Sequence, residues 1–418
     1  MLWRLTLRSL WHRRATLVLV VLAIALSTAL LTGVERVRQE TRDRFTSTVS
    51  GVDLIVGKPS GALNLLLYSV FRLGEPVANM DWESVEAITK RPEVAWVVPI
   101  SLGDNLRGFP VVGTTTDYFR YYRYGRDEPL RFSDGEPFDD VFDTVLGAGV
   151  AARLGLKVGD EVVLGHGTGT VSVRRHDTMP FKVRGVLAAT GTPVDQSVHI
   201  SLAAMTAIHL DWVAGTPLPG RHTSPDQARS RDLQPDSVTS LLVGLNSRVA
   251  VFQMQRWINT RAPEPLQAVI PGVALGQMWR MLGMVEQALR VISVAVLGVA
   301  LLVMLSALLT ALNERRREMA ILRALGARPW QIGLLMVGES ALLSLVGVAA
   351  GVLFLQGVAA LAMPVLSERL GMALSLWRPA PLEALWLLVV LVSGTLVGLI
   401  PAWRAYRHTL SDGLTPRY

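Results

Sequence analysis

Four long apolar segments most constrain what this 418-residue chain can fold into. A helix needs about 20 apolar residues to cross a hydrocarbon core of roughly 30 Å. The sequence therefore predicts a membrane protein with four transmembrane α-helices, and a large gap follows the first. The predicted spans are residues 15–33, 285–312, 331–363 and 382–400. We interpret the first as an uncleaved span, because its apolar run continues beyond the small-x-small pattern at 25–27.

The distribution of arginine predicts the orientation. Arginines precede the first span, crowd the loop after the second and follow the fourth, whereas the loop after the third has two, balanced by Glu368. The positive-inside rule then places residues 1–14, 313–330 and 401–418 in the cytoplasm and 34–284 and 364–381 outside. The net charge of +7 is accordingly interpreted as affinity for a lipid membrane, not for nucleic acid.

The inserted segment 34–284 predicts a large extracytoplasmic domain of mixed α+β type, since short apolar runs alternate with turn signals. Residues 34–50 continue the first helix, and the Pro-, Gly- and Ser-rich residues 214–237 predict a mobile loop. Strands are predicted at 53–56, 95–100, 111–113, 161–164, 181–187, 198–200 and 238–245, helices at 81–90 and 201–210, and a strand entering a helix at 145–154.

The loop 313–330 predicts a short amphipathic helix. Asn313 suits its start, and Gly326 suits a left-handed position after its end. Met319, Leu322 and Leu325 recur at three-residue spacing and predict an apolar stripe beside a charged face. Such a helix could dock into a groove of a partner protein. Alternatively, it lies at the membrane surface and its arginines only set the topology.

Residues 314–327 read Glu-Arg-Arg-Arg-Glu-x-Ala-x-Leu-Arg-Ala-Leu-Gly-Ala. This motif resembles the signature after the second span of MacB/LolC/FtsX-type permeases, which belong to the type VII superfamily of ABC transporters. Residues 7–14, an amphipathic N-terminal helix, and residues 52–57, 146–160 and 401–405 are also similar to that family. The order of one span, a large outer domain and three further spans extends the resemblance over the whole chain.

The resemblance implies a stand-alone permease of the bacterial inner membrane with its large domain in the periplasm. It would work as a homodimer with two copies of a separate ABC ATPase, which binds ATP and Mg²⁺. Loop 313–330 would be the coupling helix, whose arginines pair with acidic groups while Leu322 and Leu325 fill a groove. The implied coupling residues are Arg315, Arg316, Arg317, Glu318, Leu322, Arg323, Leu325 and Gly326.

Conformational change of the periplasmic domain would then serve export, extraction or envelope traffic of a cargo that the sequence does not identify. A periplasmic lipoprotein or adaptor is a candidate third component. The alternative from another class is an envelope scaffold or sensor that activates a periplasmic partner without moving cargo. A further alternative is a metal-related transport component, or a membrane-anchored metal-binding protein.

No enzyme is predicted, and no catalytic residue or cofactor is assigned to this chain. A phosphate-binding loop needs Gly-Lys followed by Ser or Thr, but the one Gly-Lys pair is followed by Pro59. The glycine-rich residues 165–169 lack lysine and are interpreted as a turn. Neither a Gly-x-Ser-x-Gly elbow nor a His-Glu-x-x-His motif occurs.

Polar and small residues within the spans have structural interpretations. Glu339 is an intramembrane acid, and we expect it to face a partner or water in a structural or coupling role. Gly347 and Gly351 are four residues apart, as are Gly394 and Gly398. This spacing predicts close helix packing within one subunit.

Five histidines lie in the predicted outer domain: His166, His176, His199, His209 and His222. Histidine is a common metal ligand, but none of the five has a close paired spacing and the chain has no cysteine. Asp177 and Asp195 could complete a site only if the fold brought them near. The sequence therefore predicts no metal site.

Overall fold

The computed structural model of the protein describes residues 14–167, 174–213, 216–217, 223–314, 316–370 and 382–407. The chain divides into two compact units. One contains the helices before residue 42 and after residue 281, and the other is built mainly from Arg42–Met281. Of the predicted N-terminal helix 1–14, all but the last residue lies outside the described ranges, as do 371–381 of the predicted outer loop.

The helices are α1 (Arg14–Ser47), α2 (Ala62–Leu66), α3 (Trp82–Thr89), α4 (Asp117–Tyr121), α5 (Ala148–Leu154), α6 (Leu202–Ala207), α7 (Pro225–Arg229), α8 (Val251–Arg261), α9 (Pro271–Glu314), α10 (Arg316–Ala324), α11 (Pro329–Leu370), α12 (Glu383–Val397) and α13 (Leu399–Arg407). The strands are β1 (Leu54–Gly57), β2 (Met80–Asp81), β3 (Val94–Leu106), β4 (Phe109–Thr114), β5 (Arg123–Tyr124), β6 (Glu128–Pro129), β7 (Phe132–Gly135), β8 (Asp143–Leu146), β9 (Glu161–Val162), β10 (Gly165–His166), β11 (Arg174–Arg175), β12 (Phe181–Leu187), β13 (Val198–Ser201), β14 (Trp212–Val213), β15 (Thr216–Pro217), β16 (Ser237–Val238), β17 (Ser240–Leu245) and β18 (Gln267–Val269).

Among the described residues, four helical segments are long and apolar enough to cross a membrane, which confirms the predicted fold class of four transmembrane helices. They are Arg14–Asp43, Pro271–Glu314, Pro329–Ala362 and Glu383–Tyr406. The first helix continues to Ser47, as predicted. The second begins at Pro271, so residues 271–284, which the sequence assigned to the outer domain, are also helical. Proline suits the first helical position because its missing N–H would have no partner there.

Glycine permits close helix contacts in the membrane unit. A Cβ added to Gly351 of α11 would lie 2.5 Å from the carbonyl oxygen of Ala25, and one added to Gly347 would lie 2.6 Å from Ile24 Cγ2. Both contacts are with α1. Three residues before Gly347, Ser344 of α11 lies against Gly394 of α12. These contacts confirm that the paired glycines pack helices within one subunit.

Gly351→Ala is expected to lower the stability of the chain in detergent by about 1–3 kcal/mol, because the new methyl group overpacks the contact with α1. Gly357→Ala on the same helix is the matched control. There a Cβ would meet no described atom within 4 Å, so we expect a neutral or slightly stabilising effect. The melting temperatures of the two variants and the wild type test this. Equal melting temperatures for the two variants would contradict the packing interpretation.

The outer unit is organised by one mixed sheet with the main strand order β18-β1-β17-β3-β4-β13-β8-β12-β7. The β4–β13 and β8–β12 pairs are parallel, whereas the remaining neighbours on this path are antiparallel. β1 is buried on both faces: Ile55 packs into one core cluster, while Leu54 and Val56 pack into another. Successive side chains of a strand point to opposite faces, so an unbroken apolar run fits this position.

Pairing of β1 with β18 closes the outer unit. β1 follows the first helix and β18 precedes the second, and the two strands align antiparallel with Ile55 opposite Val269. β17 flanks β1 on its other side. The unit thus begins and ends on neighbouring strands, an arrangement that suits a domain inserted between two helices.

Most predicted elements of the outer unit are present, with shifts at their ends. The predicted strand 181–187 agrees with β12 at both ends, and the predicted helix 81–90 corresponds to α3. The predicted mobile loop 214–237 is wrong in part, because it contains α7. That helix begins with a capping box between Ser224 and Gln227 and buries Ala228. The sequence did not predict α8.

Candidate functional site

The loop between the second and third spans forms helix α10, as predicted. It ends in a Schellman motif, in which the N–H of Gly326 donates to the carbonyl oxygen of Arg323 at 3.0 Å and that of Ala327 donates to Leu322 at 2.9 Å. Gly326 has φ of +97°, which confirms its left-handed conformation and explains why glycine suits this position. Asn313 lies within the last turn of α9 and therefore does not cap α10 as expected.

One face of α10 packs against the helical bundle. Met319 is half-buried and contacts a small apolar cluster of Leu312, Met336 and Ala402. These three residues come from α9, α11 and α13, so the cluster fixes α10 against the ends of three helices.

The other face of α10 is apolar and exposed. Leu325 is 80% exposed and Ile321 is 56% exposed, whereas Leu322 is half-buried. Steps of three residues fall about 60° short of a full turn. The predicted stripe therefore does not lie on one face: Met319 faces the bundle, Leu325 faces solvent and Leu322 lies between them. Ile321, which the sequence reasoning missed, shares a face with Leu325 because the two are four residues apart.

The charged residues of the predicted coupling set are less fully described. Arg315 lies outside the described residues, and Arg316, Arg317 and Glu318 are placed only as the first turn of α10. Arg323 is half-buried near the end of that helix. Their pairing with acidic groups of a partner stays a prediction. Glu339 is buried within α11, and its role also stays a prediction.

A buried ion pair that the sequence reasoning missed joins two helices of the membrane unit. Nε of Arg36 donates to Glu383 Oε2 at 2.8 Å, and Nη2 donates to Oε1 at 2.5 Å. Arg36 is 5% exposed and Glu383 is 2% exposed. The fork of the guanidinium thus binds both carboxylate oxygens, and this geometry fixes α1 relative to α12.

Two longer charge contacts connect α1 to α9. Arg38 of α1 lies 3.6 Å from Glu286 of α9, and Arg290 of α9 lies 3.7 Å from Glu35 of α1. Within α1, Arg38 also binds Glu35 at 2.5 Å. The signal in the sequence was the presence of opposite charges just beyond the ends of separate spans. Because these residues are far apart in the chain, the sequence did not specify which would pair.

Glu383→Gln is expected to destabilise the chain in detergent by about 3–5 kcal/mol, since it removes the carboxylate charge that the buried guanidinium of Arg36 binds through two nitrogens. The control is Glu286→Gln. The side chain of Glu286 is 26% exposed, and its contact with Arg38 is longer, so a loss below about 1 kcal/mol is expected. Thermal unfolding of both variants measures the difference. A small loss for Glu383→Gln would show that the pair contributes little.

Three of the five histidines meet in the outer unit. Asp104 Oδ1 lies 3.1 Å from His166 Nδ1, 3.4 Å from His176 Nε2 and 3.6 Å from His209 Nε2. The two acids considered from the sequence do not join them. Asp177 is largely exposed, and Asp195 accepts hydrogen bonds from Thr190 and Gly191.

The sheet brings this cluster together. Asp104 on β3 lies directly opposite His166 on β10. β11 pairs with β10 and leads to His176, and His209 follows α6. The ring of Trp212 lies 4.7 Å from those of His166 and His176. No short spacing in the sequence reveals this arrangement, because four separate segments supply the four side chains.

The cluster shifts the pKa values of Asp104 and His209. Burial raises the pKa of the Asp104 carboxyl, but hydrogen bonds from the three histidines outweigh this effect and hold that pKa well below its usual range. For His209, burial lowers the pKa, whereas the interaction with Asp104 raises it and prevails. The carboxylate is therefore ionised although Asp104 is only 1% exposed.

His199 lies elsewhere, in an aromatic core beside Tyr118 and Phe119. Burial and the charge of Arg72 lower its pKa from 6.5 to about 3, with a smaller opposing contribution from the carbonyl of Val145. The folded protein thus resists protonation here, whereas the unfolded chain accepts a proton below pH 6.5. The fifth histidine, His222, lies outside the described residues.

Stability is therefore expected to fall as the pH drops from 6.5 towards 3, because the unfolded state binds the extra proton. The contribution of His199 amounts to about 2 kcal/mol at pH 5. His199→Phe should remove that part of the loss, and melting curves at pH 8 and pH 5 provide the measurement. If the wild type and the variant lost the same stability between these two pH values, His199 would not be the group responsible.

Comparisons with known proteins agree with this architecture. A family profile described as "MacB-like periplasmic core domain" matches residues 15–261, and one described as "FtsX-like permease C-terminal" matches residues 290–410. The lipoprotein-releasing system transmembrane protein LolE of Haemophilus influenzae is 26% identical over 196 residues, which are 46% of this chain and 41% of that protein. The chain thus spans about two-fifths of the length of this curated relative.

Two solved structures are also similar to part of this chain. The periplasmic region of MacB from Actinobacillus actinomycetemcomitans is 12% identical with a TM-score of 0.35, and the match covers 55% of this chain and 94% of that one. The extracellular domain of the noncanonic ABC-type transporter YknZ from Gram-positive bacteria is 13% identical with a TM-score of 0.32, covering 51% and 98%.

Proposed function

The chain belongs to the ABC transporter permeases that have a MacB-like periplasmic core domain and an FtsX-like C-terminal region, and we propose that a separate ATPase drives it through α10. In this proposal the permease hydrolyses no ATP itself. Two ATPase subunits bind ATP and Mg²⁺, and their closure moves two copies of the permease. The outer domain transmits the motion to its cargo.

The exposed apolar face of α10 is the observation that carries this proposal. Ile321 and Leu325 remain in contact with solvent although the opposite face of the same short helix packs against the bundle. When one face of a helix packs against its own protein, exposed apolar side chains on the opposite face are suited to bind in an apolar groove of a partner protein. The family supplies the identity of that partner, since permeases of ABC transporters work with ATPase subunits.

The lengths of the helices support transmission over a distance. α9 has 44 residues, which corresponds to about 66 Å at 1.5 Å per residue. A hydrocarbon core of roughly 30 Å requires less than half of that length. A continuous helix is stiff, so a displacement near α10 would be carried along α9 beyond the membrane.

The family favours the bacterial inner membrane as the location, with the inserted domain in the periplasm. The matched relative is a component of a lipoprotein-releasing system, and on that basis we propose envelope traffic, including export or extraction of a cargo, as the process served. A homodimer is the simplest assembly for a single permease chain. A periplasmic lipoprotein or adaptor would be a further component.

Leu325→Asp is the decisive variant. It should weaken binding of the ATPase by about tenfold or more, because it would bury an unpaired charge in an apolar groove. Leu325 is 80% exposed, so its replacement should leave the fold intact. The measurement is co-purification of the ATPase from the native host with the full chain in mild detergent, together with the rate of ATP hydrolysis in the complex.

Ala324→Asp is the matched control, because it adds the same charge one position away on another exposed part of the helix. Leu322→Asp should also uncouple the ATPase, although its side chain is half-buried and its effect includes some loss of packing. Full ATP-dependent activity of the Leu325→Asp complex would overturn the coupling assignment. Absence of any ATPase from the wild-type complex would instead favour the scaffold or sensor alternative.

A further inference from the structure

We infer that Asp104, His166, His176 and His209 bind one zinc ion in the outer domain. This inference is independent of the ATPase-driven function proposed above, since it rests on side chains of the outer domain alone. Neither the family nor the sequence spacing assigns a metal to this chain.

The separations of the candidate ligand atoms fit a tetrahedral ion. One atom from each of the four residues lies within 4.8 Å of all the others. Asp104 Oδ1 is 3.1–3.6 Å from the three ring nitrogens, and His166 Nδ1 is 3.2 Å from His209 Nε2. Tetrahedral zinc with bonds of about 2.0–2.1 Å holds its ligand atoms about 3.3 Å apart. These four distances lie around this value.

The charge at the site points to a cation. Asp104 is 1% exposed, and three ring nitrogens converge on one of its oxygens. Within the described part of the chain, the other oxygen, Oδ2, is buried and has no hydrogen-bond partner. A buried carboxylate with half of its acceptor capacity unsatisfied is costly. One divalent ion would offset the charge and use the converging nitrogens as ligands.

The orientation of His209 is already that of a metal ligand. Its Nδ1 lies 2.8 Å from the carbonyl oxygen of Met205. A proton on Nδ1 satisfies that contact and leaves the lone pair of Nε2 directed at the cluster, and such backbone contacts commonly fix the ring of a metal-bound histidine. Trp212 packs against the rings of His166 and His176 and limits their movement.

The donor set selects the class of metal and its role. Three imidazoles and one carboxylate suit zinc, whereas magnesium and calcium require mainly oxygen ligands. Four protein ligands complete a tetrahedral site, which is typical of structural zinc. The side chains of His166 and His209 are 30% and 28% exposed, so an ion can enter between them. Bound zinc would fasten the β10–β11 pair and the end of α6 to β3.

The test uses the full chain purified in detergent with an affinity tag that contains no histidine. The protein is stripped with a chelator, supplied with zinc, desalted and analysed for metal by mass spectrometry. We expect one zinc ion per chain. Cobalt in place of zinc should give the intense visible bands of a four-coordinate ion, which octahedral surface binding does not produce.

Two variants remove a ligand in different ways. Asp104→Asn removes the charge of a buried side chain but keeps its shape. His166→Ala removes an imidazole that is partly exposed. Each should weaken zinc binding by more than about a hundredfold in competition with a chromophoric chelator, since loss of a second-shell partner alone commonly costs 10- to 100-fold. Asp177→Asn is the matched control. Asp177 adjoins His176 in sequence, but its side chain is 72% exposed and lies outside the cluster.

Thermal unfolding provides the second readout and guards against misfolded variants. Zinc should raise the melting temperature of the wild type and of Asp177→Asn but not that of His166→Ala, because a ligand that binds only the folded state stabilises it. Without zinc, His166→Ala should melt within a few degrees of the stripped wild type. The inference is overturned if the wild type retains no zinc after desalting, or if His166→Ala and Asp104→Asn bind zinc as tightly as the wild type.

Discussion

The antiparallel pairing of β1 with β18 is the contact on which the outer domain depends. It joins the first and last strands of the inserted segment, so that the domain is closed where the chain enters and leaves it. From β1 the sheet continues through β17 to β3, a strand of 13 residues that reaches into the second half of the sheet. Asp104 lies near the far end of β3. The candidate metal cluster is thus positioned by the same run of strands that closes the domain.

The membrane unit is stabilised by other interactions than the strand pairing of the outer domain. Lipid provides no hydrophobic driving force between helices, so association relies on close packing and on polar contacts. Gly347 and Gly351 allow α11 to approach α1, and Arg36 and Glu383 connect α1 to α12. In both cases α1 is one of the partners. This helix also leads into β1, the first strand of the outer unit.

The sequence predicted the parts of the fold that depend on local pattern. The four spans follow from the length and apolarity of single segments, and the left-handed Gly326 follows from the need to end a helix. The metal cluster could not be predicted in this way, because Asp104 and the three histidines meet only through the pairing of β3, β10 and β11. The direction of Leu325 relative to Met319 was also missed. A three-residue spacing looks like one stripe in the sequence but rotates steadily around a helix.

The contact between Arg36 and Glu383 also bears on how the protein is made. The two residues are 347 positions apart, so a ribosome synthesises Arg36 long before Glu383 exists. The bidentate contact between α1 and α12 can therefore form only after the last transmembrane helix has been made. The arrangement of the first helix that this contact fixes is thus completed at the end of synthesis, although that helix is the first to be made.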